Sequence, residues 1–184
     1  MIIGLCGAEG AGKSSVALRL AAVHAAEVIP FAKPLKDMLI ALGVPPESLY
    51  GTPEQKEEPL DILCGKSGRY AAQRLGTEFG RNLIGPDIWV NAWTERVISS
   101  RAPTIVADDL RFHNEAETVR VLGGFVICVR NTRAAVVDRN KAHPSQRWWD
   151  IRSDFTIDND GDLNDLYRQV DRVVQSMATT QVAV

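Results

Sequence analysis

The chain has 184 residues, of which 45% are hydrophobic and 24% charged, a composition typical of a globular protein with a substantial core. Its 21 basic and 23 acidic residues leave a net charge of -2, so a general nucleic-acid-binding protein is disfavoured. Three cysteines without a CxxC pair favour neither a disulfide framework nor a zinc site. No apolar run approaches the roughly 20 residues of a membrane span, and residues 1–6 lack the basic flank of a signal peptide. We therefore expect a soluble, cytoplasmic protein without nucleic-acid or membrane partners.

Short apolar runs alternate with helical patterns along the chain. The apolar runs predict five strands, at residues 1–6, 27–30, 104–108, 124–130 and 154–157. The helical patterns predict helices over about residues 13–26, 34–42, 69–83, 87–99, 114–122 and 163–177. This alternation implies an α/β fold in which a parallel five-stranded sheet is covered by helices on both faces.

Two stretches fall outside this alternation. Residues 51–68 are polar and contain prolines, which predicts a mobile excursion. A domain boundary is the alternative, but too little chain precedes it for a separate domain. The tail at residues 179–184 is expected to fray. We therefore expect a single domain over residues 1–184.

A glycine-rich segment follows the first predicted strand directly and matches the phosphate-loop pattern GxxxxGK[ST]. A strand before it and a helix after it would direct the N–H groups of a helix N-terminus at a bound phosphate. Lys13 is then placed to neutralise the β- and γ-phosphates, and the Ser14 hydroxyl to ligate Mg²⁺. The pattern predicts binding of ATP or GTP by Gly7, Gly10, Gly12, Lys13, Ser14 and Ser15.

Several classes of phosphate-loop protein are compatible with this motif. A GTPase would carry Asn-Lys-x-Asp, and the nearest match, at residues 140–143, lacks the aspartate. The DxxG match at residues 158–161 comes too late in the chain to be a GTPase switch. A large mechanochemical ATPase needs more chain than 184 residues. A small-molecule kinase is therefore favoured.

Charged side chains follow the third predicted strand, at the sheet edge where open α/β sheets bind ligands. Asp108 or Asp109 is placed to hold Mg²⁺, and Arg111 to meet a phosphoryl group. The alternative is that one of the two aspartates only caps the next helix.

The predicted helix at residues 69–83 separates polar from apolar side chains. At 100° per residue, Arg69, Gln73, Thr77 and Arg81 share one face, and the opposite apolar face, which includes Phe79 and Leu83, is expected to pack against the protein. The polar face is suited to reading a ligand, although a solvated surface is the common explanation of such a stripe. On the next helix, Trp89 is either a core residue or a stacking surface for a base.

A basic stretch lies between the last two predicted strands. Its arginines and lysines favour a lid that closes over a triphosphate, with a solvated basic helix as the alternative. The basic residues of this stretch are Arg130, Arg133, Arg139, Lys141 and Arg147. The three histidines are scattered along the chain, so they indicate no metal site.

Several segments in the same order resemble the bacteriophage-type deoxynucleoside monophosphate kinases, a branch of the P-loop nucleoside and nucleotide kinases. Residues 75–81 and 109–115 are the most diagnostic of them. The matching segments are residues 7–14, 31–36, 69 with 73–81, 87–90, 109–112 with 114–115, and 158–161.

The resemblance implies a P-loop kinase fold with a monophosphate-binding region at about residues 33–99 and a lid at about 131–150. It implies transfer of the ATP γ-phosphate to a deoxynucleoside 5′-monophosphate, with Mg²⁺, giving dNDP and ADP in the host cytoplasm if the chain is phage-encoded. The implied acceptor residues are Lys36, Arg69, Gln73, Thr77, Glu78, Arg81 and Trp89. The implied reacting centre contains Lys13, Asp109, Arg111 and the lid residue Arg139, with Ser14 and Asp109 at the metal. Arg133, Asn159 and Gly161 would lie on the ATP side, the last two near the adenine.

The chemistry of the acceptor agrees with this set of residues. The second pKa of a nucleotide phosphate is about 6, so its attacking oxygen is already ionised and needs no general base. Two alternatives stay open: a kinase of another small phosphate monoester such as phosphomevalonate, and a regulator that binds nucleotide without transferring phosphate. The preferred base, the choice of ribose or deoxyribose and the oligomeric state, including a homodimer, are not specified by the sequence.

Overall fold

The computed structural model describes residues 1–134 and 143–182. Within them the strands are β1 (Ile2–Cys6), β2 (Ala26–Val28), β3 (Pro59–Leu60), β4 (Lys66–Ser67), β5 (Thr104–Ala107), β6 (Phe125–Arg130) and β7 (Phe155–Asp158). Five of these strands form one parallel sheet in the order β2-β5-β1-β6-β7. The predicted α/β fold with a parallel five-stranded sheet is therefore confirmed.

Helices make up most of the remaining described chain. The α-helices are α1 (Lys13–His24), α2 (Lys33–Ala41), α3 (Glu47–Tyr50), α4 (Pro53–Glu57), α5 (Gly68–Arg74), α6 (Ile88–Ser99), α7 (His113–Val121) and α8 (Leu163–Val182). A π-helix spans Leu75–Ile84, and 3₁₀ turns span Asp61–Leu63, Pro144–Gln146 and Trp148–Asp150.

The central strands are continuous apolar runs because both faces of the sheet are covered. On one face, Leu5 and Ile127 pack in a core with Leu20 of α1 and Val170 of α8. On the other face, α7 lies so close that a Cβ on Gly4 would be 3.3 Å from a methyl group of Val119. Glycine at this position of β1 therefore allows the close approach of α7 to the sheet.

The chain divides into two compact units. One consists of Met1–Pro30 and Arg96–Val184 and contains the five-stranded sheet. The other, Phe31–Glu95, contains the β3-β4 hairpin and a small core around Leu39, Val44 and Leu49.

Two stretches differ from their predictions. The proposed excursion at residues 51–68 is built from regular elements, namely α4, the β3-β4 hairpin and a 3₁₀ turn. A capping box formed by Thr52 and Gln55 begins α4. Helix α8 continues to Val182, beyond its predicted end at residue 177. Residues 179–182 therefore belong to α8, and fraying of this end stays a prediction, because the side chains of residues 179 and 180 are exposed.

Candidate active site

The phosphate loop between β1 and α1 depends on glycine for both conformation and space. Gly7, Gly10 and Gly12 have φ values of 139°, 76° and 103°, a region that side chains rarely adopt. A Cβ on Gly7 would lie 2.2 Å from the carbonyl oxygen of Val129 in β6. A Cβ on Gly12 would lie 2.3 Å from the side-chain nitrogen of Asn159. The loop is thus held closely against β6 and the segment after β7.

The ammonium of Lys13 lies inside this loop. It donates hydrogen bonds to the carbonyl oxygens of Gly7, at 2.9 Å, and Ala8, at 2.7 Å. Burial and the nearby positive charge of Arg111 lower the pKa of Lys13 to about 8, against the opposing effect of Asp108 and other groups. The anionic oxygens of a polyphosphate would favour the protonated form of Lys13. Binding of a polyphosphate by this loop stays a prediction.

The turn after β5 carries Asp108, Asp109 and Arg111. Asp108 is close enough to Lys13 to act on its pKa, and Arg111 donates a 2.9 Å hydrogen bond to the carbonyl of Ser145. The N-cap of α7 is Phe112, so the alternative that Asp108 or Asp109 caps this helix is wrong. Arg111 lies within electrostatic range of the phosphate loop, because its charge acts on the pKa of Lys13.

A buried carboxylate that sequence reasoning missed organises this turn. Glu115 is 3% exposed, and its Oε2 accepts hydrogen bonds from the backbone N–H groups of Arg111, at 2.7 Å, and Phe112, at 3.0 Å. The signal was a Glu at the third position of α7, where a carboxylate can reach back to the N-terminus of its helix. Its contact with the Arg111 backbone required the tertiary structure.

The segments after β6 and β7 meet beside the phosphate loop. The Asn159 amide donates to the carbonyl of Ala11 at 2.9 Å, and the Asn131 amide donates to the carbonyl of Asn159 at 2.7 Å. The Arg133 guanidinium donates to the carbonyl of Asp160 at 2.7 Å, next to Gly161. The predicted ATP-side residues Arg133, Asn159 and Gly161 therefore lie together, while their contact with adenine stays a prediction.

The predicted lid is described only in part. Arg139 and Lys141 lie outside the described residues. Residues 143–150 form two 3₁₀ turns, in which the backbone N–H of Ser145 and the side chain of Gln146 complete a capping box with His143. Arg130 pairs with Asp158 at 2.8 Å, and Arg147 pairs with Asp150 at 2.9 Å. Closure of this segment over a triphosphate stays a prediction.

The helix that carries most predicted acceptor residues changes its winding at Leu75. From there to Ile84 it is a π-helix, whose i→i+5 hydrogen bonds place successive side chains differently from an α-helix. Thr77 and Arg81 are buried, whereas Phe79 and Leu83 are 42% and 75% exposed. The prediction that Phe79 and Leu83 lie on the packed face was wrong, because it assumed 100° per residue throughout.

Each predicted acceptor cation has a defined contact within the Phe31–Glu95 unit. The Arg69 Nε lies 2.6 Å from a carboxylate oxygen of Glu57, and the Lys36 Nζ lies 4.2 Å from the ring centroid of Tyr50. The Arg81 guanidinium donates to the carbonyl of Pro86 at 2.7 Å. All three contacts are with groups of the protein itself, and the role of these basic side chains as phosphate ligands stays a prediction.

Three further predicted acceptor residues lie on the same helical segment, and a fourth lies on α6. Glu78 pairs with Arg74 one turn earlier, Gln73 is half-buried and Thr77 is 7% exposed. Trp89 on α6 is 4% exposed, and its indole N–H donates to the carbonyl of Gly76 at 2.7 Å. The Trp89 ring is therefore packed as a core residue, which was one of the two alternatives for it. Its contact with a base stays a prediction.

The chemistry of the predicted metal residues fits Mg²⁺. Ser14, in the first turn of α1, is exposed, and Asp109 is half-buried. Both supply hard oxygen donors, and Mg²⁺ at nucleotide sites takes its other ligands from water and phosphates. In residues 1–134 and 143–182, no group of three or more His, Cys, Asp or Glu side chains is placed to hold a metal. The same ranges contain no helix of the length and apolarity needed to cross a membrane.

Comparison with solved structures defines the class of protein. Shikimate kinase from Aquifex aeolicus vf5 matches with a TM-score of 0.52 at 11% identity, over 97% of this chain and 99% of that one. A gluconokinase from Sinorhizobium meliloti 1021 matches with a TM-score of 0.47 at 15% identity, over 97% and 96% of the two chains. The shikimate kinase match and the phosphate loop between β1 and α1 together define a P-loop kinase fold.

Sequence comparison identifies the family within that class. The family described as deoxynucleotide monophosphate kinase matches residues 64–170, more than half of the chain. A protein of Acanthamoeba polyphaga mimivirus, named "Putative deoxynucleotide monophosphate kinase", is 30% identical over 92% of this chain and 94% of its own. The chain belongs to the deoxynucleotide monophosphate kinase family. It is a nucleotide kinase, and its phosphoryl acceptor is a small molecule.

Proposed function

We propose that this protein transfers the γ-phosphate of ATP to a deoxynucleoside 5′-monophosphate, giving dNDP and ADP. The main support for this reaction is the position of the Lys13 ammonium, which lies inside the glycine loop and within electrostatic range of Arg111. Two cations beside a phosphate loop suit a reaction in which charge on a moving phosphoryl group must be neutralised.

The donor would bind along the phosphate loop. Backbone N–H groups at the start of α1, with Lys13, would hold its β- and γ-phosphates, and Ser14 and Ser15 follow in the same turn. Asn159, Gly161 and Arg133 would lie beside the nucleoside, because Asn159 is hydrogen-bonded to the loop itself. These contacts favour a nucleoside triphosphate as donor.

Magnesium would be held by the Ser14 hydroxyl and the Asp109 carboxylate, with Asp108 near enough to add its charge. When bound, it supplies positive charge to the β- and γ-phosphate oxygens. Asp108 acts on the pKa of Lys13, which supports an electrostatic role for this turn at the phosphate loop.

The acceptor monophosphate would bind through the residues of the second unit that the family resemblance assigns. Arg69 and Lys36 would supply positive charge for its phosphate. Polar contacts along the helix would come from Arg81, Thr77 and Gln73. Glu78 and Trp89 are the remaining residues assigned to the acceptor. Because the acceptor phosphate is already ionised at neutral pH, the protein needs to orient it and neutralise charge, and Arg111 and Arg139 would serve the second purpose.

A substrate panel tests this function. Purified protein with Mg²⁺ is offered ATP or GTP and each common deoxynucleoside or ribonucleoside monophosphate, and diphosphate formation is followed by chromatography. We expect ADP formation that depends on at least one deoxynucleoside monophosphate. Lys13→Ala should lower kcat/KM on the order of a thousandfold, because it removes the cation at the phosphate loop.

Lys66→Ala is the matched control for the loss of a lysine. Lys66 is exposed and lies over the ring of Tyr70, and it is not among the residues assigned to the site. Its kcat/KM should equal that of the unmodified protein. A panel without acceptor-dependent ADP formation would reject the proposed reaction, and equal activity of Lys13→Ala and the unmodified protein would reject the role of Lys13.

A further inference from the structure

Two cysteines face each other on neighbouring strands at the base of the phosphate loop. Cys6 ends β1 and directly precedes Gly7, and it is the register partner of Cys128 in the parallel strand β6. Register partners on adjacent strands lie about 4.7–4.9 Å apart and project to the same face of the sheet. A disulfide needs a Cα separation of about 4.4–6.8 Å, so this pair satisfies the distance requirement.

Both cysteines are free thiols, and they interact with each other. The Cys6 thiol is hydrogen-bonded to Cys128, and this contact together with burial raises the pKa of Cys6. The same hydrogen bond, with the positive charges of Arg130 and Lys13, lowers the pKa of Cys128. Cys128 is also the more accessible, at 8% exposed against 0% for Cys6. Cys128 is therefore the better nucleophile and Cys6 the resolving partner.

We propose that Cys6 and Cys128 form an oxidation site for peroxide, which converts them into a disulfide between β1 and β6 and thereby weakens nucleotide binding at the adjacent loop. This site goes beyond the kinase reaction, since neither thiol takes part in phosphoryl transfer. The remaining cysteine, Cys64, is exposed and belongs to the other unit, so it is not a partner in this pair.

The reaction balances with hydrogen peroxide as the oxidant. The Cys128 sulfur attacks one peroxide oxygen, the O–O bond breaks, and water leaves after protonation, so that Cys128 becomes a sulfenic acid. The Cys6 sulfur then attacks the Cys128 sulfur, the S–S bond forms, and the hydroxyl group leaves as a second water. Two thiols are oxidised by two electrons, and one peroxide is reduced to two waters.

The effect on nucleotide binding follows from the close packing of the next residue on each strand. A Cβ on Gly7 would lie 2.2 Å from the carbonyl oxygen of Val129, so the chains after Cys6 and Cys128 are already in contact. The Gly7 carbonyl also accepts one of the two Lys13 hydrogen bonds. Forming the S–S bond imposes the Cβ separation and torsion angle of a disulfide on the two residues next to this contact, and we expect at least a roughly fivefold loss of ATP affinity.

The test uses the full chain carrying Cys64→Ser, so that the exposed thiol cannot form links between molecules. This protein is treated with hydrogen peroxide, the remaining thiols are alkylated, and the peptides are analysed by mass spectrometry without reduction. We expect a cross-link between the peptides that contain Cys6 and Cys128, which dithiothreitol removes. ATP binding, measured by titration calorimetry, should weaken on oxidation and recover on reduction.

Cys6→Ala and Cys128→Ala, each with Cys64→Ser, are the matched variants, and both should keep their ATP affinity after the same treatment. Detection of the cross-link by mass spectrometry depends neither on the folding of these variants nor on kinase activity. Failure of this proposal can therefore be distinguished from failure of the proposed kinase reaction. Treated protein that contains only reduced thiols, or only sulfinic and sulfonic acids, would overturn the oxidation site. A reversible cross-link with unchanged ATP affinity would overturn its coupling to the loop.

Discussion

The side-chain amide of Asn159 donates a 2.9 Å hydrogen bond to the carbonyl oxygen of Ala11, 148 residues away in sequence. It therefore joins the segment after β7 to the phosphate loop, and a Cβ on Gly12 would lie 2.3 Å from its nitrogen. Because the Asn159 carbonyl also accepts from Asn131, one residue connects the loops that follow β1, β6 and β7.

Replacing Asn159 by Ala should weaken ATP binding without unfolding the sheet. The change removes the hydrogen bond to the Ala11 carbonyl, and the net contribution of such a bond is about 1 kcal/mol. We expect the KM for ATP to rise about fivefold, with a smaller change in the KM for the acceptor. Initial-rate kinetics with each substrate varied in turn will measure both. Asn164→Ala, an exposed position near the start of α8, is the control and should change neither KM.

Replacing Glu115 by Gln should lower both stability and turnover. Its buried carboxylate accepts hydrogen bonds from the N–H groups of Arg111 and Phe112, and an amide accepts such bonds more weakly. We expect the free energy of unfolding to fall by about 2 kcal/mol. We also expect kcat to fall by a larger factor than that by which either KM changes, because the turn that carries Arg111 is held less firmly.

Glu117→Gln is the matched control for Glu115→Gln, because Glu117 is exposed on the same helix. Its unfolding free energy should stay within about 0.5 kcal/mol of the unmodified protein. Urea unfolding and steady-state kinetics are the measurements. Equal stability and kcat in Glu115→Gln and Glu117→Gln would contradict the role of Glu115 as a positioning residue.

The ion pair between Arg19 of α1 and Asp171 of α8 should give stability a dependence on acidic pH. The hydrogen bonds from Arg19, and its charge, lower the pKa of Asp171 below its usual value, and His24 adds to the effect from 3.8 Å. A depressed carboxyl pKa contributes stability that is present above the usual Asp value and is lost as the pH falls through the lowered pKa.

Asp171→Asn removes this contribution. Urea unfolding between pH 2 and 7 should show a stability difference from the unmodified protein that is present near neutral pH and shrinks as the pH falls through the acidic range. Tyr167, whose ring lies under Arg19, remains in both proteins. Asp61→Asn, at an exposed position of the other unit, is the control. A difference that persists unchanged at the lowest pH would contradict the assignment to Asp171.

Replacing Gly80 by Ala should destabilise the Phe31–Glu95 unit. A Cβ at this position of the π-helix would lie 2.5 Å from the Trp89 ring, which is held by its hydrogen bond to the Gly76 carbonyl. Such overpacking costs about 1–3 kcal/mol. Gly76→Ala is the matched control, because its Cβ would lie 3.4 Å from its nearest neighbour, a methyl group of Leu35. Urea unfolding should show a larger loss for Gly80→Ala, and equal losses would contradict this packing.

Much of the fold was predictable because its signals are local. Each buried parallel strand is a short apolar run such as Thr104–Ala107, and each main helix has its own pattern. The π-helix at Leu75–Ile84 was not predicted, because the prediction of side-chain faces assumed the α-helical period of 100° per residue for this segment. Trp89 was ambiguous for a related reason, since an aromatic residue at helical spacing is compatible with a core position and with a ligand contact.

The amino-acid sequence alone determined that this chain carries a phosphate-loop motif with Lys13 and Ser14 at the start of α1, because that motif is contiguous and lies between a strand and a helix. Only the tertiary structure decided which distant groups meet that loop: Asn159 at Ala11, the carbonyl of Val129 at Gly7, and Cys128 beside Cys6. The physical reason is that spacing along the chain specifies local hydrogen bonds, whereas strand order and register decide which residues from distant segments pack together.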